Sequence, residues 1–217
     1  MQNKFTEKDS SLSFILAIIL PNVLAVLVLI FAGFFTDITQ IENTKFYKIL
    51  ATTINQLAFL LIFLFVINKN KLNIKNGVER KKLNLKQIIV LILISFVCLF
   101  LISPIINVFD AYLAKFGIKS GELPININEP INFIYLILTM GIFAPICEEL
   151  LFRGVIFNGL KQKGNKLAVL ISSLMFMIIH LSLNQTIYQF LLGIILAIVV
   201  LYTGNIFSSI LIHFINN

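Results

Sequence analysis

The sequence predicts an all-α fold, a polytopic bundle of about six to seven transmembrane helices. Hydrophobic residues make up 59% of the 217 in the chain. Mean hydropathy is +0.97, whereas soluble domains hold about 45–50% apolar residues. Only 12% of residues are charged, and they cluster between long apolar runs. A soluble core of this size could not hide so much apolar surface, so the bilayer must act as part of the solvent. One integral membrane domain over 1–217 is the natural count.

The elements follow in order. The first eleven residues are polar and nearly charge-balanced, with Lys4, Glu7, Lys8 and Asp9. The apolar run 12–35 is too long for a signal-peptide core. It reads as an uncleaved first membrane helix, bent at Pro21. A second helix is expected over about 47–67 and a third over 87–109, with Pro104 near its end. The fourth starts near Ile131 and stays helix-compatible through Glu148, Glu149 and Arg153 to about Leu160. The fifth, sixth and seventh are expected over 166–183, 186–203 and 205–217. No internal repeat or low-complexity segment is visible.

Loop charge gives an orientation. Lys69, Lys71, Lys75, Arg80, Lys81, Lys82 and Lys86 face only Glu79 between the second and third helices. This is the cytoplasmic signature. The turn at 161–166 is basic again, with Lys161, Lys163 and Lys166. The loop near 36–46 (Asp37, Glu42, Lys45) lacks excess positive charge, as does that near 110–130 (Asp110, Lys115, Lys119, Glu122, Glu129). Both read as external. A cytoplasmic N-terminus satisfies all of these. The formal charge of +7 is therefore read as a topology signal, and no basic stripe with interleaved aromatics suggests nucleic acid.

Ionisable groups inside membrane helices are costly and usually functional. Glu148, Glu149, Arg153, His180 and His213 stand out, and the two histidines are the only ones in the chain. The fourth and fifth segments form a hairpin around Lys163, with Glu148 15 residues before it and His180 17 after it. At the α-helical rise both lie roughly 22–26 Å from the turn. His213 lies nine residues beyond Gly204, roughly 14 Å deep. Three chain-distant polar groups thus fall in one middle layer.

Roles follow from chemistry and spacing. Glu149 and Arg153 stand at i and i+4 with the acid first, the favourable order for a helix pair. Such a pair either positions a site or lets the helix tolerate two charges. Glu148 has no local partner and points about 100° away from Glu149. With His180 it can hold and deprotonate a water. His213 and Asn217, four apart, can donate to the oxyanion of a tetrahedral intermediate, or simply cap a helix end. Cys98 and Cys147 imply no disulfide framework. Cys147 lies beside Glu148, which disfavours a catalytic thiolate.

Three motifs in order, Glu148-Glu149-x-x-x-Arg153, Phe176-x-x-x-His180 and His213-x-x-x-Asn217, resemble the CPBP family of CAAX proteases and bacteriocin-processing, Abi-type enzymes. Gln189-Phe190-Leu191-Leu192-Gly193 and Thr203-Gly204-Asn205-Ile206 fit it as well. The motif region covers about 145–217; the first three helices match only in hydropathy. The resemblance implies a membrane-embedded endopeptidase in which Glu148 and His180 activate water. In it, His213 and Asn217 would stabilise the oxyanion and Glu149 and Arg153 complete the first motif. It also raises a metalloprotease reading, with Glu148, His180 and His213 as candidate ligands for Zn2+ at an open site, although HExxH is absent.

The expected substrate is a membrane-associated or lipidated peptide or protein, with membrane lipids as the other partners. The Lys, Asn and Ile bias suggests an AT-rich bacterial genome, hence a multi-pass protein of the bacterial plasma membrane. Two alternatives stay open: a non-enzymatic bacteriocin-immunity or membrane partner protein, and a small transporter using the buried acids and histidines as a proton relay.

Overall fold

The computed structural model describes residues 4–35, 44–118 and 130–217. The acidic and basic residues of the loops at 37–42 and 119–129 lie outside the described residues. Long apolar stretches wind into α1 (Glu7–Gly33), α2 (Lys45–Lys69), α4 (Leu85–Ala114), α5 (Pro130–Lys163) and α7 (Thr186–Thr203). A single turn, α3 (Ile74–Gly77), sits in the basic loop. Two shorter helices, α6 (Asn165–Ile179) and α8 (Ile206–Asn216), complete the bundle. Helices α1, α4, α5 and α7 are long and apolar enough to cross a membrane. The protein is thus a multi-pass helical membrane protein, as its composition predicts.

Local chemistry sets the helix starts. Thr6 and Asp9 close a reciprocal capping box on α1, and Asn84 and Gln87 do the same on α4. Each box satisfies amide donors that the first helical turn leaves without partners. Pro21 and Pro104 lie inside α1 and α4. Gly204, with φ +60°, ends α7, and Asn205 caps α8 through the Phe207 amide at 2.7 Å. Only a residue without a Cβ adopts that left-handed turn cheaply.

Helix α5 is wound unevenly. Residues Ile137–Phe143 and Leu150–Ile156 are π-helical and flank an α-helical piece, Ala144–Glu149. Pro145 explains the first widening. It cannot donate to Gly141, and its ring crowds that carbonyl, so the Ala144 amide reaches back to Thr139. Such bulges recur at functional sites, and here they bracket both glutamates.

The main core gathers Phe63, Val66, Phe152, Ile156, Phe157 and Phe176 from α2, α5 and α6. A smaller core of Leu91, Leu192, Leu196 and Ile212 joins α4, α7 and α8. Close approach is fixed by small residues. Gly159 faces Ser10 and the Thr6 carbonyl where α5 crosses α1, and the Ser10 hydroxyl donates to the Ile156 carbonyl at 2.8 Å. The outward faces of α1 and α4 carry exposed apolar side chains such as Phe31, Leu93, Phe100 and Val108, which is the pattern of a lipid-facing surface.

One end of the bundle is ionic. Lys69 pairs with Asp9 at 2.7 Å, Lys161 with Glu79 at 2.7 Å, and Lys163 with Glu7 at 2.9 Å. The turn at Gly204 joins this end, because Lys81 donates its amide to the Gly204 carbonyl at 3.0 Å. The N-terminal segment, the basic loop and the 161–166 turn, grouped on one side by their charge, therefore meet at one end. Helix α6 stops at Ile179, four residues before the expected limit of its segment, because His180 caps it and Leu181 turns left-handed with φ 47°. The 15 residues of α6 and 11 of α8 extend roughly 22 and 16 Å. Both fall short of the ~30 Å hydrocarbon core; His180 caps the first and His213 lies within the second.

Candidate active site

Glu148 and Glu149 leave α5 on its buried side, with exposures of only 7% and 0%. Arg153 is equally buried and donates from Nη1 to Glu149 Oε1 at 2.8 Å, so the i,i+4 pair read from the sequence forms. Its Nη2 donates to the Gly193 carbonyl on α7 at 3.1 Å. Its guanidinium also lies 4.4 Å from the centre of the Phe176 ring. A buried charge needs this many partners. Arg153 therefore ties α5 to both α6 and α7.

His213 links the two acids. Its Nδ1 lies 2.9 Å from Glu149 Oε1, while its Nε2 lies 3.7 Å from Glu148 Oε2. His180 comes from the end of α6. Its Nδ1 lies 2.8 Å from the Phe176 carbonyl and its Nε2 is 4.0 Å from Glu148 Oε2. A carboxylate and a carbonyl oxygen can only accept, so both histidines carry a proton on Nδ1. In the neutral rings Nε2 is then a free lone pair. Two such nitrogens and one carboxylate oxygen converge, and Glu148 Oε2 has no hydrogen-bond partner of its own. Three acceptors around one point call for a donor or a cation between them.

Phe176 organises this centre. Its ring meets His180 edge-on at 4.9 Å, His213 at 5.7 Å and Phe152 at 5.1 Å. These edge-on contacts pack against both imidazole rings. The other oxygen of Glu148 accepts from Gln56 Nε2 on α2 at 3.2 Å. Gln56 was not singled out in the sequence, although an amide inside an apolar helix is the same kind of signal that marked the acids. The last motif residue, Asn217, is exposed and donates to the Met140 carbonyl at 2.9 Å. The structure brings Glu148, Glu149, Arg153, His180 and His213 together, and it leaves Asn217 on the flank of α5. Cys98 and Cys147 are buried free thiols.

A zinc ion is a fair test of the convergence. The chemistry of the donor set fits, because each Nε2 is oriented by an acceptor on its Nδ1, the arrangement typical of metal-binding histidines. The spacing is wider than a tetrahedral ion needs, since ligands at 2.0–2.1 Å stand about 3.3 Å apart. Among the described residues no three such side chains close to metal-binding distance as they stand. Hydrogen bonds to a water reach across 3.7 and 4.0 Å gaps without any movement.

Fold and site together define a class: a helical membrane protein with a carboxylate–imidazole centre buried at the ends of two short helices. Comparison with known proteins narrows it. Residues 130–217 match the family model described as type II CAAX prenyl endopeptidase Rce1-like. The CAAX-protease resemblance seen in the three motifs is borne out over that stretch. A protein of Bacillus subtilis named "Putative membrane peptidase YdiL" is 35% identical over 83 residues, 38% of this chain and 34% of that one. The "UPF0177 protein YxdF" of Lactococcus lactis is 34% identical over 94 residues, 43% and 48% of the two chains. An "Uncharacterized protein" of Mycoplasma capricolum is 28% identical over 164 residues, 70% of this chain and 48% of that one. The chain thus spans half or less of the length of these relatives. No solved structure matches it.

Proposed function

We propose that the protein is an intramembrane endopeptidase that hydrolyses a peptide bond in a membrane-associated or lipidated peptide or protein. The observation that carries this reading is the convergence of His180 Nε2 and His213 Nε2 on the unpartnered Glu148 Oε2. A water held there donates to Glu148, which takes its proton as general base while the oxygen attacks the carbonyl carbon. Glu148 then delivers the proton to the leaving amine. Glu149 holds His213 in place through Nδ1, and Nε2, once it carries a proton, donates to the developing oxyanion. The amide of Asn217 joins it when released from the Met140 carbonyl. His180 orients the water. The match to the Rce1-like family and the named membrane peptidase support the class of reaction.

A metal-dependent version of the same reaction is the second reading, favoured by the paired Nδ1 contacts to Glu149 and the Phe176 carbonyl. Glu148, His180 and His213 would hold a Zn2+ ion, which would lower the pKa of a bound water and polarise the substrate carbonyl. A non-enzymatic immunity role would need none of this alignment. The membrane is taken to be a bacterial plasma membrane with the ionic end cytoplasmic, since that end collects the basic loops.

The test is cleavage of a fluorogenic peptide library by the purified wild-type chain in nanodiscs, with and without a zinc chelator. Cleavage that resists the chelator supports the glutamate-activated water, and cleavage that it abolishes supports the zinc version. Protection of cells against a bacteriocin that persists when Glu148 and His180 are both replaced would contradict the peptidase reading in favour of immunity.

A further inference from the structure

A second polar feature lies beside this centre. A cleft of about 420 Å3 opens between α4, the 181–185 turn and the ends of α7 and α8. Asn107 and Asp110 of α4, Ser182 and Asn184 of the turn, Gln189 of α7 and Asn216 of α8 line it. Gln189 and Asn216 are each only 8% exposed, yet Gln189 Oε1 and Asn216 Oδ1 have no hydrogen-bond partner. The Asn216 amide is oriented, because its Nδ2 donates to the Ile212 carbonyl at 2.9 Å and to that of Ser95 at 3.4 Å. Its oxygen is therefore the atom left over. Asp110 contributes a carboxylate, which accepts from Asn184 Nδ2 at 2.9 Å.

Two buried carbonyl oxygens without donors carry a desolvation cost, and a ligand that supplies donors would relieve it. A carboxylate on the same wall adds a preference for positive charge. Spacing relates the cleft to the active site. Asn216 follows His213 by three residues, and Gln189 precedes Gly193, the carbonyl partner of Arg153, by four. Both pairs share a helix face, so the cleft lies about one helical turn, ~5.4 Å, along α8 from His213 and along α7 from Gly193. An extended peptide covers that in one to two residues.

We infer that this cleft is a subsite for an alkylammonium or guanidinium group of the substrate, one or two residues from the scissile bond. The assignment of that group to a substrate rests on the peptidase reading; the cation preference itself does not. A lysine or arginine side chain and a free peptide amino terminus offer the same chemistry.

The experiment is equilibrium binding of a dansyl-alkylamine probe to the full chain in zwitterionic nanodiscs. Empty discs and a neutral dansyl-alkyl isostere serve as references. The amine should bind at least tenfold tighter than the isostere. Gln189→Leu should weaken it about tenfold, and Gln189→Glu, which adds a charge at the same place, should tighten it severalfold. Equal binding of amine and isostere, or no response to Gln189→Glu, would overturn the proposal. Competition by an N-acetylated lysine peptide against a norleucine peptide with a free amino terminus identifies the source. Displacement by neither would overturn the assignment to a peptide substrate. Because binding is read without hydrolysis, a failed subsite and a failed peptidase reading give different results.

Discussion

Nδ1 of His213 lies 2.9 Å from Oε1 of Glu149, although 64 residues separate them in the chain. The same oxygen accepts from Arg153 at 2.8 Å. One carboxylate oxygen thus fixes a histidine from α8 and neutralises an arginine inside an apolar bundle. Glu149 is the structural anchor of the site, and Glu148, one residue earlier, is the carboxylate to which the proposed function assigns the chemistry.

Removing Arg153 should be destructive to the fold as well as to the site. Arg153→Met leaves Glu149 charged and buried. Breaking a buried pair from one side costs about 3–5 kcal/mol. Thermal unfolding in detergent should show this loss, and the double variant Arg153→Met with Glu149→Gln should recover most of it.

Gln56→Leu should leave the protein folded and weaken catalysis. It removes the donor that holds Glu148 Oε1 and nothing else in the centre. Loss of a positioning partner of this kind typically costs about 10–100-fold in activity. The fall should be in kcat with KM little changed, as steady-state cleavage kinetics would show.

Two glycines should respond differently to alanine. At Gly159 a Cβ would collide with Ser10 and the backbone of Thr6. Gly159→Ala should force α1 away from α5 and destabilise the protein by about 1–3 kcal/mol. At Gly164 there is open space but a φ of +101° with ψ 146°, so Gly164→Ala costs backbone strain of about 1–3 kcal/mol without disturbing packing. Unfolding midpoints would give the first comparison, and cross-linking of cysteines placed on α1 and α5 the second.

Much of this was legible in the sequence. Apolar runs marked every long helix, and the Glu149–Arg153 spacing gave the ion pair because i,i+4 geometry is local. The convergence of Glu148, His180 and His213 could be anticipated only as a shared depth. The role of His213 as a link between two carboxylates could not, since it depends on how α8 is rotated against α5. The early stop of α6 was hidden too. Leu181 and Leu183 continue the apolar pattern, and the helix ends where the His180 ring turns to the Phe176 carbonyl. Gln56 was legible in principle but was read as part of an apolar run.

Glu148 is the centre of the account, and Glu148→Gln tests it most directly. The amide keeps the size of the side chain and removes its capacity to take a proton. With a peptide that the wild-type chain cleaves in nanodiscs, the variant should retain its unfolding midpoint. Its turnover should fall by about 100-fold or more, the scale of a lost general base. A variant as stable and as active as the wild type would contradict the assignment of Glu148 as the group that activates water.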